Sequence, residues 1–347
     1  MHVLRYLGVY VMPCLAYISF HTSGWLTFLP FIEAFVLIPF FELMIPAHSG
    51  NASEEKLTSR KHQRVYDMLV YGVVPVQLFL LWTFLNTIGQ QQLSALDIVG
   101  RVSSMGLCCG VLGINVGHEL GHRTVRFEQM LAKTLLLTSL YMHFFIEHNR
   151  GHHKRVSTRE DPASSQKGEM LYKFWWRSVI GSWISAWRIE RGSLAKKAKS
   201  VWTLRNKMIQ IVLIQTSLLV VITVLFNMLV LVYFLAAALI GILLLETVNY
   251  IEHYGLSRKQ LANGHYESVM PHHSWNSDHV LGRIVLFELS RHSDHHYKAS
   301  RKYQTLRHMD PSPQMPTGYP GMMLVATIPP LWFKIMNPLV NQWSEND

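Results

Sequence analysis

Hydrophobic positions in this chain gather into long blocks. Apolar runs fall at about 3–20, 24–45, 66–86, 96–116, 208–226 and 228–248, and a helix needs roughly 20 such residues to cross a bilayer core about 30 Å thick. Only Asn227 and its neighbours separate the last two runs, which predicts a tight helical hairpin. A seventh run, 130–146, is shorter and carries Lys133 and His143. A last apolar stretch at 321–336 follows the turn-rich 310–320 and contains Pro329 and Pro330, so it is expected to pack on the polar part of the protein or lie at the interface.

The basic residues orient these runs. Of the 32 Lys and Arg, four lie in 46–65, seventeen in 117–207 and nine after 250; Arg5 is near the amino terminus, and Arg101 alone lies near the opposite face. Six spans with both termini inside put 31 of 32 on the cytoplasmic side, as the positive-inside rule requires. A full crossing by 130–146 would export the basic segment 147–206, so that run is expected to be re-entrant or buried. The pattern predicts an all-α membrane protein: transmembrane helices 1–4 in 1–116, a cytoplasmic and re-entrant segment in 117–207, helices 5–6 in 208–250 and a cytoplasmic region in 251–347.

Composition fits this reading. Charged residues are 16% of the 347, against about 25% in ordinary globular domains, and apolar residues are 49% with a mean hydropathy of +0.15. The net charge of +10 is explained by topology, and no nucleic-acid motif accompanies it. A second span follows the first run at once, without a small-residue cleavage site, so the first run is expected to be a span and not a secretory signal. Cys14, Cys108 and Cys109 form no CxxC pair, which excludes an intrinsic iron–sulfur centre or disulfide framework.

Histidine is the unusual residue, with 19 in the chain. His118 and His122 are four apart, His148, His152 and His153 share one cluster, His253 follows the sixth run, and His292, His295 and His296 form a last group. Spacings of three or four place imidazoles on one helix face, and each cluster falls at a predicted span end or in a cytoplasmic segment. Nine such ligands exceed the four of a tetrahedral zinc and suit two metal ions, although imidazole alone does not select zinc, copper, iron or nickel. His118-Glu119-Leu120-Gly121-His122 also reads as the HExxH of a zinc protease, but a single zinc would leave the other histidines unexplained. A metal transporter would place ionisable groups along the spans, whereas these boxes sit at their ends.

Carboxylates are expected to support and charge-balance such ligands. Glu119, Glu147, Glu252, Asp161 and Asp294 lie in or beside the boxes, and Glu246 shares one face of the sixth span with Asn249, Tyr250 and His253. His272, His273 and His279, near Trp275, lack helical metal spacing and are assigned to packing or support; His143, His265 and His308 have no stronger claim.

The stretches GHELGHR (117–123), HFFIEHNRGHH (143–153), NYIEHYGL (249–256), PHHSWNSDH (271–279), RHSDHH (291–296) and PTGYPG (316–321) resemble the integral-membrane alkane 1-monooxygenases, a histidine-box family related to xylene-type hydroxylases and, more distantly, to fatty-acid desaturases. The resemblance implies that His118, His122, His148, His152, His153, His253, His292, His295 and His296 ligate two non-haem irons. It further implies O2 activation by the diferrous form and insertion of one oxygen atom into a terminal C–H bond of a medium-to-long n-alkane, giving a primary alcohol. Electrons would come from a rubredoxin, reduced by an NAD(P)H-dependent rubredoxin reductase, and the setting would be a bacterial inner membrane. Lys154, Arg155, Arg159, Arg301 and Lys302 are placed to steer an acidic partner. The nearest alternatives are hydroxylation of aromatic methyl groups or fatty-acyl chains, and then desaturation.

Overall fold

The computed structural model describes residues 3–90 and 92–345. Six helices are long and apolar enough to cross a membrane: α1 (Val3–His21), α2 (Gly24–Met44), α4 (Arg64–Ile88), α5 (Ala95–Gly121), α9 (Lys207–Leu225) and α10 (Met228–His253). These are the six spans the apolar blocks predict, and among the described residues there is no β-strand beyond two isolated bridges. A short helix, α3 (Glu54–His62), lies between the second and third spans.

The seventh apolar run does not make a seventh span. Helix α6 (Arg126–Leu137) has 12 residues, which rise only about 18 Å. The chain then turns through Leu140, whose φ is 53°, before α7 (Phe144–Glu147) and a π turn at His148–His152. The long helix α8 (Leu171–Ala195) carries too many charged residues to count among the spans. The stretch 321–336 is divided between α13 (Tyr319–Ala326) and α14 (Pro329–Glu345), neither of them a candidate span; two short helices precede them, α11 (Val280–Val285) and α12 (His292–Tyr297).

The chain forms two compact units. One comprises Met1–Glu33, Asp67–Arg150 and Trp183–Leu245; the other comprises Ala34–Tyr66, Gly151–Ser182 and Glu246–Asp347.

In the first unit, α5 begins with a capping box between Ser94 and Asp97, which satisfies amide donors that a helix start leaves unpaired. Arg101 is buried, and donates to the carbonyls of Thr87 at 3.1 Å and Thr22 at 2.9 Å. Gly110 and Gly241 let α5 and α10 approach: a Cβ on Gly241 would lie 2.6 Å from Cys109 Cβ and 3.0 Å from Gly110 N. At the hairpin between α9 and α10, Asn227 Oδ1 accepts from Val230 N at 3.0 Å. Ile114, Leu136, Tyr141, Ile146, Ala186 and Met208 form a buried core of this unit.

In the second unit, Trp332 of α14 is fully buried, its ring 5.2 Å from those of both Tyr250 and Tyr254. The final helix therefore packs on the end of α10 that carries His253.

Candidate metal centre

Four imidazoles converge in the second unit. His152 leaves the π turn after α7, His253 ends α10, and His292 and His296 stand one turn apart on α12. All four are buried, and their ligand atoms lie within 4.8 Å of one another. His152 Nε2 is 3.3 Å from His296 Nε2, and His292 Nε2 is 3.3 Å from His253 Nε2.

For His152 the outer nitrogen fixes what the inner one presents. His152 Nδ1 donates to Asp161 Oδ2 at 2.8 Å, whereas His292 Nδ1 lies 3.1 Å from Glu252 Oε1 without the alignment of a hydrogen bond. A neutral imidazole carries one proton, so a ring that donates through Nδ1 offers a lone pair at Nε2. Two such lone pairs at 3.3 Å would repel, whereas a cation between them would satisfy both. Two nitrogens each about 2.0–2.1 Å from a metal stand roughly 3.0–3.4 Å apart in octahedral or tetrahedral sites. The donor set therefore fits a metal ion.

Burial favours the same form. It lowers the His295 pKa to about 3 and drives that of His296 well below the ordinary range, with neighbouring histidines adding to the effect. Burial alone would raise the Asp161 carboxyl, but His152 and Ser164 hold it below its usual value. Ser164 Oγ donates to Asp161 Oδ2 at 2.5 Å, and Ala163 N donates to Oδ1 at 3.2 Å. The loop after the His148–His153 cluster is thus built around the carboxylate that orients His152. His153 and His295 complete this unit's share of the nine candidate ligands, with their Nε2 atoms 3.2 Å apart.

The first unit holds the remaining three. His118 and His122 lie one turn apart at the end of α5, with Nε2 atoms 3.1 Å apart, and His148 Nε2 is 3.1 Å from His122 Nε2. Phe144 stacks on His148 with ring centroids 4.6 Å apart. Glu119 does not stand free as a protease-type base: it is buried and accepts from Arg123 Nη2 at 2.6 Å. Arg123 also reaches Asp67 at 3.1 Å and Glu128 at 3.8 Å, and Tyr71 donates to Glu128 at 2.8 Å. This buried cluster anchors the turn that carries His122.

The other candidates divide by contact. Asp161 and Glu252 touch histidines directly. Asp294 is instead held by Arg301 and by Arg307 N at 2.9 Å, and so braces α12. Glu147 accepts from Ser185 at 3.0 Å. Glu246 is buried on the same face as Asn249, Tyr250 and His253, and accepts from Asn249 at 3.3 Å.

His272, His273 and Glu267 form a further cluster within metal-binding distance, but its chemistry differs. Met270 N donates to His273 Nδ1 at 2.9 Å, so the proton of a neutral ring lies on Nε2, 3.2 Å from Glu267 Oε1. That nitrogen donates to a carboxylate and has no lone pair for a metal. His308 pairs with Asp278 at 2.6 Å, His279 with Ser277 at 3.1 Å, and His265 is exposed. Trp275 is packing: its indole donates to the Tyr254 carbonyl at 2.9 Å.

Two contributors escape a reading of spacing. Ser164 has no motif of its own. Tyr319, in PTGYPG, is fully buried near the Glu252 carboxylate; the motif was visible, but Glu252 lies 67 positions earlier in the chain.

Comparison with known proteins agrees with this architecture. Residues 98–325 match the fatty acid desaturase family, a match that covers every histidine cluster. The chain is 40% identical to an alkane 1-monooxygenase of Ectopseudomonas oleovorans over 94% of its own length and 81% of that protein's. It is 39% identical to an alkane 1-monooxygenase of Pseudomonas putida over the same shares. With the hydroxylase component of the Pseudomonas putida xylene/toluene monooxygenase, identity falls to 27%, over 99% of this chain and 91% of that one. Within the broad class of histidine-rich, desaturase-like membrane proteins, the chain belongs to the alkane 1-monooxygenase family.

Proposed function

We propose that this protein hydroxylates the terminal methyl group of medium-to-long n-alkanes, with His118, His122, His148, His152, His153, His253, His292, His295 and His296 ligating two irons. The observation that carries the reading is the cluster of four buried imidazoles whose Nε2 atoms face one another, with His152 fixed from outside by its hydrogen bond to Asp161 and the Glu252 carboxylate 3.1 Å from His292 Nδ1. Bound iron would supply the O2 chemistry that an unactivated methyl group demands. The chain's own residues orient the ligands: Asp161, set by Ser164, holds His152, and Glu252 stands beside His292. An alkane offers no charge or acidic proton for a side chain to grip, so a pocket among the spans contributes position and exclusion of water.

Electrons are proposed to come from a rubredoxin and its NAD(P)H-dependent reductase at the cytoplasmic face of a bacterial inner membrane. Lys154 and Arg159 are exposed, as steering requires. A cleft of about 460 Å³ lined by Arg159, Ser164, Lys167 and Arg258 opens behind the hydrogen bonds linking Ser164, Asp161 and His152. Arg301 is committed to Asp294 and contributes less.

The test combines metal analysis with octane turnover under labelled O2, using rubredoxin, reductase and NAD(P)H. Two irons per chain and one labelled oxygen in octan-1-ol are expected. An alkene without label would indicate a desaturase, and a preference for xylene or a fatty acid would favour the aromatic-methyl or fatty-acyl alternative.

A further inference from the structure

A carboxyl group lies where an alkane-binding protein has no evident need of one. Glu33 is the tenth of the 21 residues of α2, and so sits at mid-membrane depth. It is buried, and its Oε2 has no hydrogen-bond partner among the described residues. Helix α2 packs on α1 and α5. Ser104 of α5 donates to the Thr27 carbonyl of α2 at 2.7 Å, and Glu33, six residues further along α2, is thereby set at about the level of Cys108, the fourteenth of the 27 residues of α5. Ionisable groups at this depth are costly and usually have a task.

The local backbone is special as well. Glu33 opens a π turn, Glu33–Leu37. Pro39 follows, has no N–H, and would clash with the carbonyl four residues earlier in a regular helix. A widened turn absorbs that conflict, and such turns recur at functional sites. Along α5, Cys108 stands ten residues before His118, a rise of about 15 Å. A medium-length chain with its reacting methyl at the histidine end would thus bring its opposite end near the level of Glu33.

We infer that Glu33 receives the hydroxyl head of a long-chain primary alcohol, so that the protein also converts such alcohols to α,ω-diols. This rests on the hydroxylase reading above. The alcohol O–H donates to Glu33 Oε2. At the far methyl a C–H bond breaks and a C–O bond forms with one atom of O2; the other atom leaves as water, using two electrons and two protons from the same rubredoxin chain as alkane hydroxylation.

The test uses the full-length protein in lipid nanodiscs. Infrared difference spectra taken with dodecanol, and with dodecane as control, are expected to show a shifted carboxyl band with dodecanol only, absent in Glu33→Gln. This readout needs no turnover. Product analysis then gives the ratio of kcat/KM for dodecanol to that for dodecane. Loss of one hydrogen bond in Glu33→Leu is expected to lower this ratio roughly tenfold, while Glu33→Gln, which keeps an acceptor oxygen, retains most of it. An unchanged ratio in Glu33→Leu, or no carboxyl shift in the unsubstituted protein, overturns the assignment. A shift accompanied by failure to hydroxylate either compound would leave the Glu33 site standing and refute the hydroxylase reading.

Discussion

Asp161 shows how much one side chain can decide. It is fully enclosed, accepts from His152 and Ser164, and so fixes the tautomer of His152. Asp161→Asn keeps the shape but can present an amide N–H where His152 needs an acceptor. Iron affinity should fall about 10- to 100-fold, measured by metal titration of the purified protein. Glu246→Gln should also lower iron content and turnover if the buried Glu246 face supports His253; unchanged values of both would remove that role. His143 makes a different prediction. Its ring is enclosed by Tyr141 and Trp183, with centroids 4.4 and 5.0 Å away, and burial lowers its pKa from 6.5 to about 3. The folded state therefore resists a proton that the unfolded chain accepts, so His143 costs nothing above pH 6.5 and destabilises increasingly as pH falls from 6.5 towards 3. The cost approaches about 1.4 kcal/mol per pH unit. His143→Leu should flatten the pH dependence of the melting temperature over that window by one proton's worth; an identical slope in both proteins would refute the assignment.

At the scale of elements, the spans were legible because lipid demands unbroken apolar blocks, and their ends coincide with the histidine boxes. The failure of 130–146 to cross was legible in the charges that follow it, and appears in the structure as a 12-residue helix closed by the turn at Leu140. The π turns were not legible. Glu33–Leu37 and Cys109–Ile114 depend on local conflict and on packing, which hydrophobic periodicity does not encode. Carboxylate roles were half legible: Asp161 and Asp294 both lie beside ligands in sequence, yet only the fold directs one to His152 and the other to Arg301 and Arg307. The contact of α5 with α10 depends on missing side chains. Gly241→Val would place a methine carbon 2.6 Å from Cys109 Cβ, which real contacts do not allow, so the helices must part. Overpacking of this kind costs about 1–3 kcal/mol. A lower melting temperature is expected, and a Cys109→Ala background should restore little, because alanine keeps the clashing Cβ and Gly110 N also lies 3.0 Å away.

For the whole molecule, the question is how electrons reach a centre in a chain whose three cysteines provide no redox cofactor of their own. The positive charge proposed to orient the spans would also attract an acidic donor, and the two uses respond differently to salt. Charges that fix topology act once, during insertion. Charges that steer a partner act in every encounter, across a screening length that shrinks from about 10 Å at 0.1 M to 3 Å at 1 M. Turnover limited by rubredoxin should therefore drop steeply with ionic strength while iron content stays constant. Lys154→Glu with Arg159→Glu, both at exposed positions, should reproduce much of that loss at low salt by raising the KM for rubredoxin and leaving kcat at saturating donor little changed. Stopped-flow reduction at varied salt separates the outcomes: a rate indifferent to both salt and the charge reversal would mean that the basic face serves insertion alone, and that the donor docks by contacts other than charge.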